Sequence, residues 1–220
     1  MATFRTNPVG LEDLLRHCEH GTIKLPDFQC SWVWDEERIR SLIASISLAF
    51  PVGALMTLET GGPVTFKERA VEGAPDKADE GGARYLLLDG QQRMTSLYQT
   101  CMRDQVVDTV TARHKKVRRW YYIDIEKALT PGCDRMEAII GVPEDRILRT
   151  NFGKDVVLDL SSPENEYEQA MFPCFRVFEW DAWQDGLGIT GSARVSLIND
   201  ICSDDSKMMS CRTSSNIKYQ

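Results

Sequence analysis

The chain has 220 residues and a formal net charge of −7, with 42% hydrophobic and 27% charged residues. This composition is typical of a globular protein that can bury a core. We find no apolar run long enough to span a bilayer and no apolar signal-peptide core at the N-terminus. The acidic charge disfavours a general nucleic-acid binder, which usually carries a basic surplus, but it leaves room for a local basic groove. Seven cysteines without a CxxC pair favour reduced thiols and a cytoplasmic location.

Apolar periodicity predicts the first two helices. Helical spacing from Leu11 to Cys18 predicts a helix over residues 10–19, followed by an extended piece at 23–26. A second helix should begin after Asp35, which is a good N-cap, and should end at Pro51. Its predicted buried face consists of Ile39, Leu42, Ile43, Ile46 and Phe50.

The middle of the chain predicts a sheet interrupted by an insertion. Residues 52–59 and 84–88 are both expected to be strands that pair, with the second one central in the sheet. Residues 60–83 are rich in glycine, proline and charge, so we expect an exposed and mobile insertion. Another strand is predicted at 120–125.

The predicted domain organisation follows from where the patterns fade. Weaker strand candidates lie at 156–160 and 172–178, and periodicity is lost from about residue 184. We therefore expect one domain over residues 1–183 and an incomplete or disordered segment over 184–220.

The stretch LLLDGQQRMTSLYQT, residues 86–100, joins an apolar strand to a helix through a polar turn. One interpretation is purely structural: Asp89 and Gln92 form a capping box and Gly90 permits a tight turn. The other is a phosphate site. A helix N-terminus offers free N–H groups and partial positive charge, Arg93 adds a bidentate donor, and Asp89 could bind magnesium. In this interpretation the amides of Gln91 and Gln92 orient water or hold oxygens.

The same stretch carries a family resemblance. DGQQRMTSL resembles the DGQQR signature of the N-terminal domain of GmrSD-type, modification-dependent restriction proteins. Residues 25–34 (LPDFQCSWVW) and 39–53 (IRSLIASISLAFPVG) resemble that family's preceding segments. Residues 120–129 (WYYIDIEKAL) resemble its next strand. The resemblance runs from about residue 8 to about residue 180.

The resemblance implies an α+β fold of the ParB/sulfiredoxin-like type, a small mixed sheet with packed helices. It implies a nucleoside triphosphate with Mg²⁺ as cofactor, and hydrolysis linked to cleavage of foreign or modified DNA. The implied nucleotide-handling residues are Asp89, Gly90, Gln91, Gln92 and Arg93, with Asp27 and Gln29 facing the same pocket. Cys30 replaces an arginine of the family, so we expect one positive contact fewer.

Other functions stay open at this point. No HNH-like setting surrounds the three histidines, so we expect a nuclease domain or subunit to be supplied elsewhere. The chain could instead be a non-catalytic DNA-binding or modified-DNA sensor module, or a truncated inactive copy. The basic cluster at 113–119 has two interpretations of equal weight. It contacts nucleic acid, or it is a solvent-exposed run at the start of a strand.

Three smaller features have favoured structural interpretations. His17 and His20 are spaced like half of a metal site, but no second ligand pair follows, so a surface helix end is favoured. Cys30 is expected to be buried or inert. Trp34 is expected to lie in the core, where it forms a hydrophobic staple with Ile39.

Overall fold

The computed structural model describes residues 8–62, 65–75, 82–189 and 217–218. Helices and strands are mixed along this part of the chain, which confirms the predicted α+β class. The ParB/sulfiredoxin-like arrangement stays a prediction. The helices are α1 (Leu11–Glu19), α2 (Glu36–Ser47), α3 (Gln91–Cys101), α4 (Ile125–Leu129), α5 (Arg135–Ala138), α6 (Pro163–Glu168) and α7 (Trp180–Ile189). The strands are β1 (Pro8–Val9), β2 (Ile23–Pro26), β3 (Met56–Glu59), β4 (Glu68–Arg69), β5 (Tyr85–Asp89), β6 (Val107–Val110), β7 (Lys116–Asp124), β8 (Ile139–Pro143), β9 (Ile147–Thr150), β10 (Asp155–Asp159), β11 (Met171–Pro173) and β12 (Ile217–Lys218).

The first sheet has the strand order β3-β5-β2-β4. Strand β3 pairs antiparallel with β5, and β5 pairs parallel with β2, with Lys24 opposite Leu86. The prediction that residues 84–88 form a central strand is therefore confirmed. Because β2 and β5 are parallel, their carboxyl ends lie at the same edge of the sheet, where ligands often bind in sheets of this kind.

Helices α1 and α3 pack on this sheet through their apolar stripes. Helix α1 begins within a residue of the start that the periodicity predicts, and α3 follows the polar turn as expected. Their buried side chains form one cluster with those of β2 and β5. Among the fully buried members are Leu14, Leu15, Leu25, Leu87, Met94 and Leu97.

A second sheet has the order β11-β7-β6, with β8 paired to β7. Helix α2 lies between the two sheets. Its Ile39 and Ile43 pack against residues of the second sheet, including Tyr121, whereas Leu42 belongs to the core of the first. Asp35 caps α2 as predicted, because its side chain accepts a hydrogen bond of 2.8 Å from the backbone N–H of Arg38.

The predicted end of α2 is wrong. The helix stops at Ser47, and Ala49 adopts a left-handed conformation with φ of 56°. This turn redirects the chain, so Phe50 leaves the apolar face and is 59% exposed. The strand expected over 52–59 begins only at Met56.

Residues 60–83 were expected to be exposed, and this expectation is also wrong for the middle of the insertion. Strand β4 adds to the edge of the first sheet, where Leu25 is opposite Arg69. Val71 is buried in the main core. The carboxylate of Glu68 accepts a hydrogen bond of 2.8 Å from the backbone N–H of Ala83. The mobility of this insertion stays a prediction.

The C-terminal part of the domain differs from prediction in detail. The strand expected over 172–178 is β11 followed by a 3₁₀ turn, Cys174–Glu179. Helix α7 continues past residue 183 to Ile189. Most of the segment predicted to be incomplete or disordered, 184–220, lies outside the described residues. None of the helices within the described ranges combines the length and apolarity that a bilayer crossing requires.

A buried carboxylate holds the second sheet to α6. Glu166 is only 2% exposed and accepts a hydrogen bond of 2.9 Å from the hydroxyl of Tyr122. Arg146 lies 3.5 Å from the same carboxylate and stacks over the ring of Trp120, 4.1 Å from its centroid. Burial raises the pKa of Glu166 above its ordinary value of 4.5, although Tyr122 and Arg146 oppose the shift.

This raised pKa predicts a pH dependence of stability. A carboxyl group whose pKa is higher in the folded protein stabilises the fold below its ordinary pKa, and this contribution is lost as the pH rises through the folded value. The free energy of unfolding of the parent should therefore fall, relative to Glu166→Gln, as the pH rises above about 4.5. Urea unfolding of both proteins from pH 4 to 7 measures this difference. If the free energy of unfolding depends on pH in the same way in both proteins, Glu166 titrates normally and the prediction is wrong.

Candidate functional site

The site is built at the turn from β5 into α3. Asp89 is the last residue of β5, Gly90 has φ of 91°, and α3 begins at Gln91. A side chain at Gly90 would be strained by this left-handed backbone, and its Cβ would overlap with the Leu55 side chain. Glycine is therefore required here by both conformation and space.

The predicted capping box is wrong. No side chain caps α3 at Gly90, and the amide of Gln92 makes its hydrogen bonds to a different segment. The first N–H groups of the helix are thus left without intrahelical acceptors, as at any helix start. Gly90 and Gln91 are buried at this turn, so a phosphate would reach these groups only if the residues that cover them moved.

The two glutamines of the motif hold the irregular segment 30–33. The Gln91 side chain is buried and donates a hydrogen bond of 2.6 Å to the carbonyl of Cys30. The Gln92 amide donates to the carbonyl of Ser31 at 3.1 Å and accepts from the N–H of Val33 at 3.0 Å. These contacts join residues about sixty positions apart, so the glutamines determine how this segment lies over the helix end.

Further contacts reinforce the same segment. The indole N–H of Trp32 donates to the Ser96 hydroxyl at 2.9 Å, and the backbone N–H of Trp32 donates to Glu72 at 3.1 Å. Arg69 donates to the carbonyl of Cys30 at 3.1 Å and pairs with Glu72 at 2.8 Å. Residues of the predicted insertion therefore help to build the site, which the sequence pattern gave no reason to expect.

Arg93 contacts a second loop. Its guanidinium donates to the carbonyl of Val52 at 2.6 Å and to that of Ala54 at 2.9 Å. It also lies 3.2 Å from the carboxylate of Asp89. The Arg93 side chain is 21% exposed, so one part of it still faces solvent. Gly53 lies against it with φ of 92°, and a Cβ there would come within 2.5 Å of Arg93 Nη1.

Two carboxylates mark the ends of the parallel strands. Asp27 follows β2 and Asp89 ends β5, each three residues beyond the pair Lys24 and Leu86. Asp89 is 69% exposed, and Asp27 is exposed and pairs with Lys67 at 3.1 Å. Within the described residues, no group of three or more acidic, histidine or cysteine side chains could hold a metal ion unaided. A cation here would need oxygens from a ligand.

Gln29 joins the segment after β2 to β5. Its amide nitrogen donates to the carbonyls of Leu87 at 2.8 Å and Leu88 at 2.9 Å. Its amide oxygen is buried and has no partner among the described residues. The structure thus brings Asp27 and Gln29 to the same edge as the DGQQR turn, where the resemblance implies them to be.

Exposed apolar side chains surround this edge. Phe28 is 68% exposed and meets Phe66 edge to face, with ring centroids 5.7 Å apart. Val33 is also exposed beside the Gln92 amide. The periodicity missed this surface because these residues belong to irregular segments. Cys30 was expected to be buried or inert; its thiol is exposed, so burial is wrong, and its inertness stays a prediction.

The other sequence features are accounted for by local contacts. Within the basic cluster, Arg118 pairs with Asp108 and Arg119 pairs with Glu36. Part of the cluster thus supports the second sheet. Burial raises the pKa of the Cys18 thiol to about 12, which makes it a poor metal ligand because only the thiolate binds metals well. Trp34 is half-buried and packs on the buried clusters of the first and the second sheet, as predicted.

Comparison with known proteins identifies the family. Residues 11–206 match the family described as the GmrSD restriction endonuclease, N-terminal domain. The match covers most of the chain. The chain belongs to this family. Membership in this family confirms the resemblance carried by the DGQQR stretch.

A curated relative shares part of the sequence. An uncharacterized protein of Methanocaldococcus jannaschii is 35% identical to this chain over 93 residues. The alignment covers 40% of this chain and 16% of the relative. The aligned region is therefore a small part of a much longer protein.

Proposed function

We propose that this chain is a nucleotide-binding, NTP-hydrolysing domain of a DNA-restriction protein. The observation that carries the proposal is the uncapped N-terminus of α3 at the carboxyl edge of the parallel strands β2 and β5. Backbone N–H groups and the helix dipole attract phosphate at such a position. Gly90 adds no side chain of its own at this turn, where the Leu55 side chain already packs.

We assign each residue of the motif a role that is compatible with its contacts. Phosphate oxygens would bind the N–H groups at the start of α3 and the guanidinium of Arg93. The exposed carboxylate of Asp89 fits Mg²⁺, which proteins usually bind through one or two carboxylates together with substrate phosphates. When bound, the ion would neutralise phosphate charge. We assign Gln91 and Gln92 to positioning, because their amides are bonded to segment 30–33.

The reaction proposed is phosphoryl transfer to water. Such reactions depend mainly on positioning and on charge neutralisation around the transferred group. Asp89 projects from the strand end, where it could hold a water as well as a cation. Asp27 lies at the equivalent point of the adjacent strand and would contribute a second carboxylate to the same edge.

The family setting suggests further partners. A restriction protein acts on DNA, and we propose that a nuclease domain or subunit works with this domain. The exposed aromatic pair Phe28 and Phe66 favours the alternative, a non-catalytic DNA-binding or sensor module, because aromatic rings can stack on bases. The two functions differ in their dependence on salt and on magnesium.

Calorimetric titration separates these functions. We expect a nucleoside triphosphate to bind the parent protein in the presence of magnesium and more weakly with a chelator. Binding of a short DNA duplex, if present, should weaken steeply as salt rises from 50 to about 200 mM. Nucleotide binding without DNA binding supports the proposed function. Salt-sensitive DNA binding without nucleotide binding supports the alternative and contradicts the proposal.

A further inference from the structure

The hairpin formed by β6 and β7 ends in an exposed basic turn. Residues 112–116, here called the hairpin tip, read ARHKK and are all exposed. Arg113, Lys115 and Lys116 place three positive charges within four residues of a chain whose net charge is −7. The sequence has no acidic residue from position 109 to position 123. The hairpin tip is therefore a local positive surface on an acidic protein.

The basic side chains at the root of the hairpin are neutralised, whereas those of the tip are not. Arg118 lies 3.5 Å from the carboxylate of Asp108, and Arg119 lies 3.3 Å from that of Glu36. Within the described residues, the basic side chains of the hairpin tip form no ion pair and no side-chain hydrogen bond. The root charges thus support the fold, and the tip charges stay available to a partner.

The hairpin tip is a defined turn at the end of a two-stranded ribbon. The backbone N–H of Thr111 donates to the carbonyl of Lys115 at 2.9 Å, and that of His114 donates to the carbonyl of Thr111 at 2.8 Å. His114 closes the turn in the left-handed conformation, with φ of 57°, as in common three-residue hairpin loops. Among the described strands, only β6 pairs with β7 over residues 116–118, because β8 first joins β7 at Arg119.

The ribbon is attached beside the segment that the DGQQR glutamines hold. The hydroxyl of Thr109 donates to the carbonyl of Trp34 at 2.8 Å, and Val110 forms a β-bridge with Asp35. Segment 30–33, which is bonded to Gln91 and Gln92, directly precedes these two residues. A partner bound at the hairpin tip would therefore lie near this segment.

The shape and charge of the ribbon together fit duplex DNA. The major groove of B-form DNA is about 12 Å wide and admits a two-stranded β-ribbon, whereas the major groove of A-form RNA is too narrow for side chains to read. Lysine and arginine side chains bind the phosphates of the DNA backbone. We propose that the β6–β7 ribbon docks in the major groove of duplex DNA, with the basic side chains of the hairpin tip on the flanking phosphates. This inference goes beyond the proposed nucleotide site, with which the tip shares no residue.

Fluorescence anisotropy with a short labelled DNA duplex tests the proposal. The test variant combines Arg113→Gln, Lys115→Gln and Lys116→Gln, which removes three exposed charges and should leave the melting temperature of the parent unchanged. Binding at low salt should weaken by at least about tenfold, because each phosphate contact releases counterions. The slope of log K against log salt should fall in magnitude by about 2.7, which is about 0.9 for each of three contacts. Each single variant should lower the slope by about 1.

Arg16→Gln, Arg84→Gln and Lys127→Gln together form the matched control. The triple control changes the net charge by the same amount, and these three side chains are also exposed. Each of them already lies beside a carboxylate, those of Glu12, Glu59 and Asp124. The control should therefore bind DNA nearly as the parent does. Equal weakening in the two triple variants would mean that only net charge matters, and would overturn the proposal.

The remaining outcomes separate this surface from the proposed function. A parent that binds nucleotide in the calorimetric titration but no DNA overturns the DNA surface and leaves the proposed function standing. DNA binding that depends on the hairpin tip, without nucleotide binding, supports the surface and contradicts the proposed function. An RNA duplex of the same sequence should bind more weakly than the DNA. Equally tight, tip-dependent binding of the RNA duplex would overturn the placement in the DNA major groove.

Discussion

Gly90→Ala is expected to destabilise the protein by about 2–5 kcal/mol. An alanine in the left-handed region costs about 1–2 kcal/mol. A clash in a packed core adds typically 1–3 kcal/mol, and here the new methyl group would overlap with the Leu55 side chain. Chemical denaturation with the linear extrapolation gives the free energy of unfolding. The same variant should also weaken nucleotide binding, because the clash with Leu55 would shift the turn that carries the N–H groups at the start of α3.

Gly61→Ala is the matched control for this prediction. Gly61 has nearly the same backbone conformation, with φ of 92°, but no atom of the described residues lies within 4 Å of a Cβ built there. Its substitution should show only the conformational cost. The difference between the two variants in the free energy of unfolding then measures the clash with Leu55. Gly90→Ala should cost less in a Leu55→Ala background than in the parent, because the clashing side chain is then gone. Equal losses in the two single variants would contradict the described packing at Gly90.

Ile43→Ala is expected to lower the free energy of unfolding by about 2–5 kcal/mol, the usual range for a buried large-to-small change. Ile43 lies in the part of α2 that packs on the second sheet, and it is buried in the same cluster as Ile39 and Tyr121. The substitution therefore leaves a cavity where α2 joins that sheet.

Phe50→Ala is the corresponding control, and the sequence pattern alone would predict a similar loss for it. Because Phe50 lies beyond the end of α2 and is exposed, its removal should change stability by less than about 0.5 kcal/mol. A loss at Phe50 as large as that at Ile43 would show that α2 continues through residue 50.

The first three helices, α1 to α3, were predictable because their signals are local. The stripe from Leu11 to Cys18 and the residues after Gly90 each specify one buried face within a few turns, and Asp35 specifies a start. The end of α2 was not predictable in this way. Periodicity places Phe50 on the buried face, but the left-handed Ala49 turns the chain first.

The contacts of the DGQQR motif depend on distant parts of the chain. The pattern of a strand, a glycine and a helix predicts the turn, and the turn is where it was expected. The sequence does not show that the amides of Gln91 and Gln92 bond to segment 30–33. Nor does it show that Arg93 bonds to the carbonyls of Val52 and Ala54. These partners are about 40 to 60 positions away, and the pairing of β5 with β2 and with β3 brings them together.

The motif consequently serves the fold as well as the proposed site. Its side chains hold two loops on either side of the helix end, and its backbone leaves the N–H groups of that end free of side-chain caps. Substitution of Gln91, Gln92 or Arg93 should therefore affect the shape of the site in addition to any direct contact with a ligand. Asp89 is different, because it is exposed and its contact with Arg93 is a surface ion pair of small energetic weight.

Asp89→Asn should therefore change activity with less effect on stability than the other motif variants. The direct test of the proposed function is magnesium-dependent phosphate release from each of the four nucleoside triphosphates, with and without DNA, by the parent and by Asp89→Asn. We expect at least one triphosphate to be hydrolysed by the parent, and Asp89→Asn to melt within a few degrees of the parent while losing this activity. Phosphate release that is absent from the folded parent under all these conditions, or that Asp89→Asn retains in full, would contradict the assignment of this edge of the sheet as an NTP-hydrolysing site.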